Sequence, residues 1–309
     1  MRLNKKLFLI TVPIVSSIAL YKWETWKTGL LKALIKREKN KGSITKFAKR
    51  YPDPPKSLLR KYPFDKIDIN GALGYWINKE KAPNGVLVYL HGGGYVFGPI
   101  EVQWKYIANM SRAADMAAIV VDYKMAPDFP YPKGLHDVEN IISTLQAEGA
   151  LPENYYLLGD SAGGGMAVSV TNRLIDKKAP LPRKLILMSP WLDLSMSNPA
   201  IKLTADEEIM LPLEEVKRSA SKYAQQNNLK DPMISPIYGN VKGLPPVLIQ
   251  IGTAELFLWD NRKFVQKLTE ANVEVKYEEY NEMFHVFALV HILKEGKKAM
   301  KSQLDFIRA

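Results

Sequence analysis

The chain has 309 residues, 47% apolar and 24% charged: enough for one large domain with a sizeable core or two small ones, and too apolar for a disordered chain. It has no cysteine, which excludes disulfide frameworks, thiolate metal sites and cysteine nucleophiles. The net charge of +11 is an N-terminal property, because residues 1–62 hold 16 Lys and Arg against 3 Asp and Glu while the remainder holds 27 against 29, and no nucleic-acid-binding motif accompanies it.

Residues 7–21 form an apolar run behind Lys5 and Lys6. The run is short for a spanning helix, which needs about 20 residues, and fits a short membrane anchor, a cleaved signal or a packed helix. Ser17 and Ala19 form a weak cleavage signal. The heavier basic flank, Lys22 to Lys41, follows the run, so the expectation is a membrane-associated protein with its main domain on the cytoplasmic side. Secretion is the alternative. Residues 22–41 read as a basic amphipathic helix in which Trp23, Trp26, Leu30 and Leu34 recur at helical spacing. Such a helix either lies on a membrane surface, making residues 1–41 the contact, or covers a pocket. Pro52, Pro54, Pro55 and Pro63 mark a boundary, dividing the chain into 1–21, 22–63 and 64–309.

From Phe64 the pattern changes. Phe64–Ile69 and Leu73–Ile77 are strands around Asn70-Gly71, a hairpin turn signal. Continuous apolar runs follow at Val86–Leu90, Ala117–Val121, Tyr155–Leu158, Leu185–Met188 and Val247–Ile251, then the more polar Val273–Tyr280, with helical stretches between them. Buried runs separated by helices predict an α/β fold with an eight-stranded, mostly parallel sheet. A helical insert at 195–235 interrupts the rhythm and is expected to cover the sheet's C-terminal edge.

Three features fall at strand ends, where open α/β sheets bind ligands. Gly159-Asp160-Ser161-Ala162-Gly163 is G-x-S-x-G between a strand and a helix, the context of a nucleophile elbow, with glycines where the turn is too sharp for side chains. His91-Gly92-Gly93-Gly94 follows Val86–Leu90. Its bare amides can stabilise an oxyanion: Gly92 and Gly93, with the amide of Ala162, are the expected hole, and His91, Gly94 and Asp160 the supporting residues. The pattern lacks the Lys-Ser/Thr of a phosphate-binding loop. His285 follows the last strand and is the expected base. His136, in a helical stretch, and His291, expected within the final helix, read as surface or packing residues. The acid should follow Val247–Ile251, where Glu255 and Asp260 are the candidates. Glu255, just past the strand end, is favoured. Asp260 is expected to start or cap a helix over Asn261–Ala271.

These segments resemble the hormone-sensitive-lipase-type branch of the α/β-hydrolases. His91–Gly94 matches that family's HGGG and Gly159–Gly164 its GDSAGG. Asp122–Pro127 resembles its DYRLAPE segment, Asp231–Pro236 matches DPxxSP, Gly252–Asp260 resembles its acid segment, and Phe284–Phe287 its histidine region. Asp128 departs from the usual Glu. The resemblance implies an α/β-hydrolase fold with a helical cap, built here from 22–63 and 195–235. It also implies hydrolysis of short- or medium-chain small-molecule esters by Ser161, His285 and Glu255, with no cofactor or metal. A deacetylase or aryl-acylamidase would use the same residues, and a non-catalytic ligand receptor is the alternative of another class.

Overall fold

The computed structural model describes residues 28–37 and 49–309. The apolar run 7–21, with Trp23 and Trp26, lies outside the described residues. Residues 28–37 are helical (α1). Leu31 and Ile35 of α1 pack on the core, whereas Leu30 and Leu34 are 45% and 46% exposed. This corrects the expected stripe: a helix turns about 100° per residue, so the face one position further on is the one docked. Among the described residues no helix is long and apolar enough to cross a membrane. A short helix α2, Lys56–Leu59, follows.

Eight strands form one sheet: β1 Phe64–Ile69, β2 Ala72–Ile77, β3 Val86–Leu90, β4 Ala117–Asp122, β5 Tyr155–Asp160, β6 Lys184–Met188, β7 Val247–Gly252 and β8 Val275–Tyr280. Their order is β1-β2-β4-β3-β5-β6-β7-β8. The pairings β1–β2 and β2–β4 are antiparallel and all others parallel. Asn70 and Gly71 both take positive φ, 54° and 78°, the backbone that a tight two-residue hairpin requires.

Strands β3 to β7 are buried along their whole length, which is why they read as unbroken apolar runs. Their side chains alternate between two cores. Val86, Val88 and Leu90 face one side, with α4 (Lys133–Ala147), α5 (Ala162–Asp176) and α7 (Leu258–Glu270). Leu87 and Tyr89 face the other, with α3 (Glu101–Ala114) and α8 (Lys294–Arg308). Each fully buried aliphatic side chain contributes about 1.5–3 kcal/mol to this three-layer packing. The insert region 195–235 contains a 3-10 turn at Pro199–Leu203 and helix α6, Leu213–Ala224.

Strand β3 has β4 on one side and β5 on the other, so the chain reverses direction across the sheet there. The loops leaving the C-terminal ends of β3 and β5 diverge and open a crevice between them. The glycine loop and Ser161 both sit at that crevice.

Candidate active site

Ser161 alone makes the turn between β5 and α5, at φ 51° and ψ −121°. A non-glycine residue in this region stores about 1–3 kcal/mol and persists only where its surroundings hold it. Here its amide donates to the Met188 carbonyl at 2.9 Å, and its carbonyl accepts from the amides of Gly164 and Trp191 at 3.0 and 2.9 Å. Gly159 must lack a side chain, because a Cβ there would sit 2.3 Å from the Gly163 carbonyl oxygen.

His285 lies in the turn after β8. Its Nε2 is 2.9 Å from Ser161 Oγ, and its Nδ1 is 2.8 Å from Glu255 Oε2. A carboxylate at Nδ1 holds the proton on that nitrogen and leaves the Nε2 lone pair facing the serine hydroxyl. Glu255 is fully buried. Its Oε1 accepts from the Gly252 amide at 2.6 Å and from Ser189 Oγ at 2.7 Å, and Ser189 Oγ also accepts from the Val286 amide at 3.1 Å. Burial alone would lower the His285 pKa; the hydrogen bond and charge of Glu255, with the charges of Glu208 and Asp160, outweigh it and lift the pKa above its usual 6.5. The edge of Phe257 packs on the imidazole, 5.1 Å between centroids.

The glycine loop leaves β3 through His91. This side chain is fully buried and stacked on Tyr123, with centroids 4.3 Å apart. Its Nδ1–H donates to the Gly92 carbonyl at 2.9 Å, and burial pushes its pKa down to about 4, so it is neutral and orders the loop. The Gly92 amide donates to Asp160 Oδ1 at 2.9 Å. That amide is therefore spent, which corrects its expected place in the oxyanion hole. No such partner holds the amides of Gly93, Gly94 or Ala162 among the described residues. Gly93 has φ 128°, and a Cβ on it would lie 1.8 Å from the Phe97 carbonyl oxygen.

The remaining candidates lie apart from this group. Asp260 is the third residue of α7, which starts earlier than expected, so it is not the helix cap. It accepts from Asn198 Nδ2 at 2.8 Å, and burial raises its pKa to about 6. His136 is exposed on α4, and His291 falls in the turn before α8 rather than inside it. Two polar residues at the site carry no motif: Ser189, one residue past β6, and Glu208, in the insert. Among the described residues no cluster of His, Asp and Glu could hold a metal ion.

Ser161 and His285 open into a cavity of about 170 Å³, lined by Gly93, Gly94, Phe97, Trp191, Met210, Leu211, Val216 and Phe257. The walls are mostly apolar, with Glu215 and Ser219 of α6 among the lining, an arrangement suited to an apolar chain at one reactive polar centre. A hydroxyl, a base and an ordered carboxylate at one end, beside uncommitted amides, can carry out acyl transfer.

Residues 87–289 match the profile of a family described as having the alpha/beta hydrolase fold. An acetyl-hydrolase of Streptomyces hygroscopicus is 32% identical over 247 residues, covering 80% of this chain and 83% of its own. An esterase of Acinetobacter venetianus is 26% identical over 265 residues, 85% of this chain and 86% of its own. Among solved structures, an esterase/lipase from an uncultured bacterium superposes with a TM-score of 0.78 at 28% identity, covering 91% of this chain and 97% of its own. An esterase from the bacterial hormone-sensitive lipase family superposes with a TM-score of 0.74 at 32% identity, covering 80% and 84%. With the sheet order, the elbow and these likenesses together, the chain belongs to the α/β-hydrolases, in the hormone-sensitive-lipase-type esterase family.

Proposed function

We propose that this esterase cleaves short- or medium-chain acyl esters through a covalent acyl-enzyme on Ser161. The observation that carries the reading is the run of contacts Ser161 Oγ–His285 Nε2 at 2.9 Å and His285 Nδ1–Glu255 Oε2 at 2.8 Å, opening into the apolar cavity. His285 Nε2 takes the hydroxyl proton as Ser161 Oγ attacks the acyl carbonyl. Glu255 holds the imidazole tautomer and stabilises the imidazolium. The carbonyl oxygen, now negative, accepts hydrogen bonds from the amides of Gly93, Gly94 and Ala162. Collapse expels the alcohol, which leaves with the proton from His285. Water then gives a proton to His285 as it attacks the acyl carbon; His285 returns that proton to Ser161 Oγ as the acyl–oxygen bond breaks, releasing the acid and free Ser161.

The preference for short chains rests on the cavity, whose 170 Å³ falls below the roughly 300–1,000 Å³ of pockets for drug-sized ligands. In this reading residues 195–235 act as a cap, since Met210, Leu211 and Val216 line the cavity wall. Of the expected second part of the cap, residues 22–63, only 28–37 and 49–63 are described, and Leu31 and Ile35 there pack on the core. A series of p-nitrophenyl esters from acetyl to dodecanoyl tests the preference: kcat/KM should peak at short or medium chains, and a peak at dodecanoyl would overturn it.

The same reading includes membrane association through residues 1–41, with the catalytic domain on the cytoplasmic side. Its supports are the apolar run 7–21, the basic flank, and exposed Leu30 and Leu34 beside exposed Lys36 and Arg37. Fractionation of cells making the full chain, and of cells making a version that lacks residues 1–21, tests it. Full-length enzyme found only in the soluble fraction, or digested by protease outside spheroplasts, would contradict it.

A further inference from the structure

Glu208 is 2% exposed and belongs to the insert, not to any motif. Its Oε1 accepts from the amides of Met210 and Leu211 at 2.6 and 3.0 Å. Both residues line the substrate cavity. Its Oε2 accepts from the amide of Leu256 at 3.3 Å, the residue next to Glu255. One carboxylate thus joins the cavity wall to the loop that presents the acid. We infer that Glu208 is a positioning residue, which fastens the Met210–Leu211 wall to the acid loop and adds its negative charge to those of Glu255 and Asp160 near His285.

The chemistry of the contacts sets the state of the group. All three of these partners are N–H donors, which favours the ionised carboxylate; protonation on Oε2 would leave the Met210 and Leu211 bonds to Oε1 and weaken only the one from Leu256. Burial raises the Glu208 pKa and the charge of Glu255 adds to the rise, while His285 and the Met210 and Leu211 amides oppose it. Among the described residues, the charged groups that act on His285 are Glu255 from the acid loop, Glu208 from the insert and Asp160 from the end of β5. Each favours the imidazolium that forms as Ser161 loses its proton. The arrangement gives the insert two effects on the reaction, one on the shape of the cavity and one on the basicity of the base. It rests on the reading of Ser161, His285 and Glu255 as the catalytic group.

The test uses Glu208→Gln and Glu208→Ala in the full chain, with p-nitrophenyl butyrate as substrate. In Glu208→Gln the side-chain oxygen still accepts from Met210 and Leu211, but the amide nitrogen cannot accept from Leu256, and the charge is gone. Removing a negative charge lowers the His285 pKa, so the acid limb of kcat/KM should move to lower pH, by about 0.5–1 unit. KM should rise less than about threefold in Glu208→Gln and about tenfold or more in Glu208→Ala, where the wall is released. A carboxylate that only satisfied a turn would lower the melting temperature and leave the limb of the folded enzyme unmoved. If Glu208→Ala does not fold, the profile of Glu208→Gln decides alone. An unmoved limb, or a KM unchanged in a folded Glu208→Ala, overturns the proposal. Fluorophosphonate labelling of the unaltered enzyme separates the two layers: no label on Ser161 defeats the catalytic reading, whereas label on Ser161 with an unmoved limb defeats the role of Glu208.

Discussion

Asp160 Oδ1 accepts the amide of Gly92 at 2.9 Å, so the residue before Ser161 also holds the first glycine of the loop after β3. The same carboxylate accepts from Tyr89 Oη and from Gln103 Nε2, and it is buried. The elbow and the glycine loop are therefore set against each other by one side chain. Removing it would leave two buried donors, the Gly92 amide and the Tyr89 hydroxyl, without a partner, at about 1–3 kcal/mol each, and Gln103 Nε2 with only the Gly92 carbonyl at 3.4 Å. Asp160→Ala is expected to lower turnover about 100-fold, with a smaller change in KM, and to lower the urea midpoint. Asp160→Asn keeps the oxygen that faces Gly92 and should retain more of both. Steady-state kinetics and urea unfolding of the two variants check the order.

Glu255 and Asp260 separate by chemistry. Glu255→Ala leaves His285 Nδ1 without its carboxylate, and turnover should fall by roughly 10⁴. Asp260 has a raised pKa of about 6 in the folded protein, so its contribution is present below about pH 4 and is lost as pH rises through 6. Its Oδ2 is buried without a partner among the described residues. Asp260→Asn should therefore keep turnover and stabilise the protein at pH 8 by up to about 3 kcal/mol, read from urea melts at pH 8 and pH 4.

Gly93 and Gly94 should differ under the same substitution. An added methyl at Gly93 meets the Phe97 carbonyl oxygen at 1.8 Å with φ at 128°, so the backbone must shift. At Gly94 it meets the Ser219 side chain at 3.3 Å with φ at 63°, so the cost is left-handed backbone strain and a tight contact rather than a clash with backbone. Gly93→Ala should cost about 10²–10³ in kcat, and Gly94→Ala clearly less, in assays of folded protein confirmed by circular dichroism.

His91 makes acid stability testable. Its folded pKa of about 4 lies below the usual 6.5, so the unfolded chain binds a proton that the folded chain refuses. Stability tied to this group is complete above about pH 6.5 and is lost as pH falls towards 4, by about 3 kcal/mol. The unaltered enzyme should lose more stability than His91→Asn between pH 7 and pH 4, measured by urea unfolding at each pH.

The sheet was legible because β3 to β7 are buried on both faces, and such strands print themselves as unbroken apolar runs. Val275–Tyr280 is an edge strand with few buried side chains, and it read as more polar for that reason. The candidate site was legible where a motif sits at a strand end, as at Ser161, His285 and the glycine loop. Which glycine amide is free was not legible, because it depends on the reach of Asp160 across 68 residues of chain. Ser189 and Glu208 were missed for the same reason: each acts on Glu255 or its loop through a contact that folding alone brings about. A serine directly after a buried strand beside the elbow strand was the available signal for Ser189; Glu208 in the run Asp206-Glu207-Glu208 resembles any solvated acidic turn. On α1 the sequence leaves the docked face ambiguous by one residue, since Leu30 and Leu31, like Leu34 and Ile35, are adjacent apolar pairs.

Trapping a covalent acyl group on Ser161 tests the mechanism most directly. Enzyme mixed with p-nitrophenyl butyrate, quenched in acid during turnover and digested, should carry one butyryl group on the peptide that contains Ser161. Ser161→Ala, with an unchanged circular dichroism spectrum, should carry none and hydrolyse the ester at background rate. A butyryl group on another residue, or hydrolysis persisting in Ser161→Ala, would contradict the account.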